Sequence, residues 1–201
     1  MIITGGSKGI GKACVQHFLN RYEVVSVSRH GDTTENGDLT DMKFLRQLID
    51  KHPIVDVLIN NAGGCRSSFT ETNLLNYIAP VFLMEHYKKN SRVRIINIGS
   101  NAAYGAEAYD SGYTKLSDEI IWYCCSKNAL KYASNALARK NPNIKICCIE
   151  PGKIGGKNLN LQDITKTIDW VLEQTFNVHS ILLIIEEESL LARNSLHLPL
   201  F

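Results

Sequence analysis

The chain has 201 residues, the length of about one domain, with 44% apolar and 21% charged residues and a formal charge of +2. That balance excludes a global basic field for nucleic acid, an acidic tail, and a disordered, collagen-like or disulfide-scaffold chain. The strongest apolar stretch, Ile181 to Ile185, is far too short to span a bilayer. The N-terminus runs into a glycine-rich turn instead of a leader, so a cytoplasmic protein with no membrane or nucleic-acid partner is expected.

Apolar runs alternate with amphipathic stretches from end to end, without repeat or linker. Met1 to Ile3 opens as a short strand, and Gly9 to Asn20 reads as a helix. Glu23 to Ser28 is a Val-rich strand, and Thr40 to His52 a helix with Phe44, Leu45, Leu48 and Ile49 on one face. Strand Ile54 to Asn60, helix Asn73 to Lys89 and strand Val93 to Ile98 follow. Leu116 to Arg139 is helical, Ile144 to Ile149 a strand, Asp163 to Gln174 a helix and Ile181 to Ile185 a last strand. Several strands are continuous apolar runs, the mark of burial on both faces. The expected fold is therefore α/β, a single doubly wound parallel sheet over residues 1–201, with its ligands at the carboxyl ends of the strands. The six cysteines, Cys14, Cys65, Cys124, Cys125, Cys147 and Cys148, show neither a C-x-x-C nor metal-ligand spacing. They read as buried thiols of a reducing compartment, and no metal is expected.

The first strand is followed by Thr4-Gly5-Gly6-Ser7-Lys8-Gly9-Ile10-Gly11 and then a helix. Unpaired N–H groups and the dipole at a helix start receive phosphate, and glycines let the backbone approach it. Two motifs compete: a dinucleotide variant on Gly5, Gly9 and Gly11, and a triphosphate loop on Gly6, Gly11 and Lys12. The second lacks its magnesium-binding hydroxyl, because Ala13 stands where Ser or Thr is needed.

Four further segments join this turn. They are Asn60-Asn61-Ala62-Gly63, Ile95-Ile96-Asn97-Ile98-Gly99-Ser100, Tyr123-Cys124-Cys125-Ser126-Lys127, and Pro151-Gly152. In that order, over roughly residues 1–155, the set resembles the short-chain dehydrogenase/reductase family. The resemblance implies a Rossmann-like fold and an oxidoreductase that moves a hydride between a nicotinamide cofactor and a carbonyl or alcohol. It also implies a homodimer or homotetramer, with the Leu116–Arg139 helix at the contact.

Tyr123 and Lys127 are spaced i, i+4, so they share a helix face. A phenol titrates near pH 10, too high for neutral acid–base work, and a neighbouring ammonium lowers it. The resemblance makes Tyr123 the general acid/base, Lys127 its tuner and the holder of the nicotinamide ribose, and Ser100 the donor to the oxyanion. Tyr113 fits the usual Ser–Tyr gap better, but Lys115 lies only two residues beyond it and position 117 is Ser. With Tyr123, residues Asn101 to Ile121 become an enlarged loop whose Tyr104, Tyr109 and Tyr113 are candidate substrate contacts. Asn76 resembles the family's fourth polar residue, holding a water that leads to Lys127, with Asn73 as its rival.

The remaining cofactor contacts implied are Gly5, Ser7, Lys8, Gly9, Ile10 and Gly11 in the first turn, Asn61, Ala62 and Gly63, and Pro151, Gly152 and Ile154. Asp38 and Leu39 are expected at the adenine, with the usual preceding helix missing. An acid at the end of the second strand selects NAD in such folds. Here Ser28 holds that place and Arg29 follows, with Lys8 in the glycine turn. Two cations favour the 2′-phosphate of NADP(H) over NAD(H). Past Gly152, a Gly occupies the position where the family often has a Thr, and the segment to Gln162 that covers substrate is short. The same features suit a rival reading, a non-catalytic NADP-binding redox sensor or regulator.

Overall fold

The computed structural model describes residues 1–104, 117–155 and 159–184. In chain order the elements are β1 (Ile2–Thr4), α1 (Gly9–Phe18), β2 (Val25–Ser28), β3 (Glu35–Asn36), α2 (Met42–Lys51), β4 (Val57–Asn60) and α3 (Phe69–Asn73). A single π-turn (Leu74–Ile78) leads directly into α4 (Ala79–Tyr87), followed by β5 (Arg94–Ile98) and a 3₁₀ turn (Asn101–Tyr104). Then come α5 (Asp118–Lys140), β6 (Lys145–Pro151), α6 (Leu161–Glu173) and β7 (Ser180–Leu183).

The strands form one parallel sheet in the order β3-β2-β1-β4-β5-β6-β7. Strand order reverses between β1 and β4, the crevice where such sheets bind ligands. The continuous apolar strands are explained by two core layers. Ile2, Leu58, Ile95 and Ile146 face Leu45 and Leu48 of α2, Leu83 and Met84 of α4, and Leu130 of α5. Their neighbours Ile3, Ile59, Ile96 and Cys147 face Cys14 and Phe18 of α1 and Ile164 and Ile168 of α6. Each large side chain so buried stabilises the fold by about 1.5–3 kcal/mol.

A polar chain crosses the first layer and fixes α5 to the sheet. Asn60 donates to Asn97 (2.8 Å), Asn97 donates to the Ser134 hydroxyl (2.8 Å), and Ser134 donates to the Leu130 carbonyl (2.7 Å). Helix α5 carries Tyr123 and Lys127, so this network sets the register of the site.

The fold matches the expected α/β class, with local differences that have physical causes. β3 is only two residues long and gives no periodic signal; no helix separates it from β2, as expected. The helix expected from Asn73 starts at Phe69, because Ser68 caps it by accepting from the Glu71 amide at 3.2 Å. Its regular ladder slips into the π-turn just before Pro80, which has no N–H for the Asn76 carbonyl. Of the expected Asn101–Ile121 loop, Asn101–Tyr104 is a 3₁₀ turn, Asp118 to Ile121 already belong to α5, and residues 105–116 lie outside the described residues. Tyr109, Tyr113 and Ile185 lie outside the described residues. The thiols do not share one environment: Cys14, Cys147 and Cys148 are buried, whereas Cys65 and Cys125 are exposed. No described helix is long and apolar enough to cross a membrane.

Candidate functional site

The glycine turn is built for close approach. The Gly5 and Gly6 amides donate to the Val27 carbonyl (2.7 and 3.2 Å), which folds the turn over β2. A Cβ on Gly11 would lie 2.1 Å from the Gly5 carbonyl oxygen, and Gly5 itself has φ +71°. Helix α1 begins here with Lys8 as its N-cap, and no side chain caps its first-turn amides. An uncapped helix start beside a glycine turn fits a pyrophosphate. Ser7 packs toward Gly31, Lys8 and Gly9 are exposed, and Ile10 leans on the α1/α6 core layer.

Asn61-Ala62-Gly63 is tied to this turn through Thr4. The Thr4 hydroxyl accepts from the amides of Asn61 and Ala62, both at 3.0 Å, and Asn61 Nδ2 donates to the Thr4 carbonyl at 2.9 Å. Thr4, quoted from sequence only as the opening residue of the glycine-rich turn, is a support of the site with no role assigned to it there. Gly63 then runs past the far end of the site. A Cβ there would lie 3.0 Å from Lys127 Nζ and 3.1 Å from Asn76 Oδ1. Lys127, Asn76 and Gly63, expected from distant parts of the chain, are therefore neighbours.

Helix α5 presents Tyr123 half-buried, with Lys127 Nζ 5.8 Å from its ring centroid. The expected shared face is present. Lys127 is only 3% exposed and donates to the Ile98 carbonyl at 2.7 Å, two residues before Ser100. Burial pulls the ammonium down from its usual 10.5 to about 8, with Cys148 opposing. Ser100 is buried at the end of β5, and its Oγ accepts from the Ala102 amide at 3.2 Å.

Asn76, in the π-turn, is fully buried. Its Nδ2 donates to the Gly64 carbonyl and to Ser126 Oγ, both at 3.0 Å, and its Oδ1 accepts from the Gly64 amide at 2.9 Å. Ser126 in turn donates to the Tyr123 carbonyl at 2.7 Å. Asn76 thus clamps the Gly63–Gly64 loop to the helix that carries Tyr123, and Ser126 is a second support missed from sequence. The rival Asn73 spends its Nδ2 on the Phe69 carbonyl of its own helix and is no part of the site.

The described residues line an open cleft of about 440 Å³ on the β2 side, among them Arg29, Asp38, Thr40, Arg66 and Glu119. Asp38 Oδ1 accepts from the Thr40 amide and hydroxyl, both at 2.9 Å, and its Oδ2 lies 3.5 Å from Arg29. Partial burial pushes this carboxyl up, but those hydrogen bonds and the Arg29 and Arg66 cations outweigh it and hold it below the usual carboxylate range. The expectation of a cation pair without an acid is corrected here, because Arg29 has an acidic partner. Ser28 donates to the His30 carbonyl at 2.5 Å and so closes the turn rather than facing a ligand. Leu39 is 5% exposed within the core, which leaves only its backbone to a cofactor. Arg66 was not expected; it follows a Gly-Gly-Cys run whose path the sequence does not reveal. At the other end Pro151 is buried, the Gly152 amide donates to the Leu183 carbonyl at 2.7 Å, and Ile154, 40% exposed, bridges to Leu159.

Comparison with known proteins gives a consistent picture. The model of the NAD dependent epimerase/dehydratase family matches residues 1–189. The chain is 29% identical over 190 residues to 3-oxoacyl-[acyl-carrier-protein] reductase FabG of Chlamydia pneumoniae, covering 77% of this chain and 73% of that protein. It is 28% identical over 183 residues to the probable short-chain type dehydrogenase/reductase VdlC of Helicobacter pylori, covering 76% of this chain but only 64% of the other. The chain thus spans somewhat under two thirds of VdlC. Among solved structures, 4-hydroxyisoleucine dehydrogenase complexed with NADH and succinate superposes with a TM-score of 0.74 at 22% identity, covering 90% of this chain and 96% of that one. The closed form of serine dehydrogenase complexed with NADP+ gives 0.75 at 16% identity, covering 100% and 98%. At these identities the structural likeness speaks for the fold.

Proposed function

The chain belongs to the short-chain dehydrogenase/reductase family, and from that premise we propose that it is an oxidoreductase that interconverts a small carbonyl compound and its alcohol with NADP(H). The observation that carries this reading is a half-buried phenol, Tyr123, beside the buried ammonium of Lys127, which is locked onto the Ile98 carbonyl. A buried Lys at that place is costly to the fold and has a use only if its charge acts on a neighbour.

The cofactor would lie with its pyrophosphate at the start of α1, its adenosine toward Arg29 and Asp38, and its nicotinamide toward Asn61–Gly63, Pro151–Gly152 and Ile154. When bound, it supplies or accepts the hydride. The chain's own residues do the rest. Tyr123 gives its phenolic proton to the substrate's carbonyl oxygen, or takes one from the alcohol in the reverse direction. Lys127 lowers the cost of the phenolate so formed, and reaches the cofactor ribose. Ser100 donates to the same substrate oxygen and holds it near the phenol. Asn76 and Ser126 keep the Gly63–Gly64 loop and the Tyr123 turn in one frame.

The test of function is NADPH oxidation against a panel of ketones, aldehydes and quinones. Turnover of at least one carbonyl is expected; tight NADPH binding without any turnover would favour the sensor reading instead.

The preference for NADP(H) rests on Arg29 and Lys8 together with the absence of an acid at Ser28. The Arg29–Asp38 pair is long, and both side chains are near 40% exposed, so its hold is weak. A phosphate dianion competes well for such a guanidinium. Arg29→Ala is expected to weaken NADPH binding by about 10- to 100-fold while NADH changes by less than about threefold. Cofactor fluorescence titrations check this, and equal losses for both would remove the argument for the phosphate.

A further inference from the structure

Among the described residues only two charged side chains are buried, Lys127 and Glu150. The first belongs to the proposed chemistry; the second has no part in it. Glu150 is 0% exposed on β6, immediately before Pro151. A buried carboxylate is expensive unless its partners hold it firmly. Here Oε2 accepts from the Tyr104 hydroxyl at 2.6 Å and lies 3.4 Å from Lys131 Nζ. The same ammonium stands 3.4 Å from the centre of the Tyr104 ring. Oε1 has no hydrogen-bond partner among the described residues; the Cys148 thiol on the same strand is a further neighbour of the carboxylate, whose oxygen and nitrogen partners are Tyr104 and Lys131.

Tyr104 ends the 3₁₀ turn that leaves Ser100, and that turn is gripped at every step. The Ala102 amide donates to Ser100 Oγ, the Ala103 amide to the Ser100 carbonyl at 3.0 Å, and Asn128 Nδ2 to the Ala103 carbonyl at 2.7 Å. Asn128 and Lys131 lie on α5 directly beyond Lys127. The turn is therefore fastened on one side to the helix that carries Tyr123 and Lys127, and on the other to the strand that leads to Pro151–Gly152.

We propose that Glu150, acting through Tyr104 and Lys131, is a positioning residue that sets Ser100 against Tyr123. The proposal rests on the reading of Ser100 and Tyr123 as the groups that touch the substrate oxygen. It also gives Tyr104 a role other than substrate contact, since its hydroxyl is already spent on Glu150.

The test compares Tyr104→Phe, Glu150→Ala, Glu150→Gln and their combinations with Tyr123→Phe. All are assayed with the best-reduced carbonyl, at a temperature where circular dichroism shows each variant folded. Tyr104→Phe is the primary variant, because the site is half-exposed and the ring is retained. Its kcat is expected to fall by about 10- to 100-fold, since small misplacements of reacting groups are costly, while the NADPH dissociation constant stays within about twofold. Glu150→Ala should match it, and the double variant should be no worse than the poorer single one. Glu150→Gln keeps an acceptor for the Tyr104 hydroxyl and is expected to retain kcat within about threefold. Independently of turnover, amide exchange at Ala102 and Ala103 should accelerate in Tyr104→Phe.

Wild-type kcat and unchanged exchange in Tyr104→Phe, with Tyr123→Phe inactive, would leave the proposed function standing and overturn the positioning role. Full activity in Tyr123→Phe would overturn both.

Discussion

Replacing Tyr123 by Phe lowers kcat for carbonyl reduction by about a thousandfold, within the range that a single general acid contributes, and leaves NADPH affinity within about twofold. The substitution removes one oxygen and keeps the ring, so its contact with Lys127 and the packing of α5 persist. The loss should fall on kcat, because the proton is needed at the reacting oxygen and not for docking of the cofactor. Steady-state kinetics with a saturating carbonyl, paired with a cofactor titration, separates the two. Residual turnover above about a tenth of wild type would mean that the proton comes from another group, since general acids contribute far more than tenfold.

Lys127→Met produces the opposite signs in activity and stability. Turnover falls by at least about a hundredfold, because the phenolate loses its neighbouring charge. Stability at pH 7 rises by about 2 kcal/mol. The fall in the Lys127 titration from its usual 10.5 to about 8 corresponds to about 3 kcal/mol at 1.36 kcal/mol per pH unit, and loss of the bond to the Ile98 carbonyl returns about 1 kcal/mol. The unfolded chain keeps its Lys127 proton up to about pH 10.5, whereas the folded chain gives it up above about 8. Between these values the unfolded state binds more protons, so wild-type stability from this group rises with pH, and below 8 its penalty is complete. The advantage of the Met variant is therefore full at pH 7 and shrinks through pH 9. Urea unfolding at the two pH values measures it; a lower midpoint for Lys127→Met at pH 7 would contradict a penalised ammonium. Such a trade of stability for activity is usual where a site must hold an uncomfortable charge.

The parts of the molecule legible from sequence were those with local periodicity or fixed spacing. The alternation of apolar runs placed the long elements of the sheet, and the four-residue step from Tyr123 to Lys127 placed them on one face. The glycine turn was legible because Gly5 and Gly11 answer a local steric demand. What stayed hidden depended on contacts distant in sequence. Arg66, in the loop after β4, lines the same cleft as Arg29 and Asp38 from the loop after β2 and the segment after β3. Glu150 follows the apolar run Ile144 to Ile149 and drew no reading from sequence; its burial is explained by partners from two other elements, Tyr104 and Lys131. The π-turn at Asn76 depends on how one missing N–H, that of Pro80, is absorbed by the surrounding helix, and apolar periodicity is blind to it.

The hydroxyl of Thr4 bonds to the Asn61 and Ala62 amides, while Asn61 bonds back to the turn it leaves behind. The loop after β1 and the loop after β4 are therefore tied into one unit, and parting them would break several hydrogen bonds at once. The opposite rim is the softer one, because the long ion pair of Arg29 and Asp38 is about 40% exposed, costs little to break, and is screened by salt.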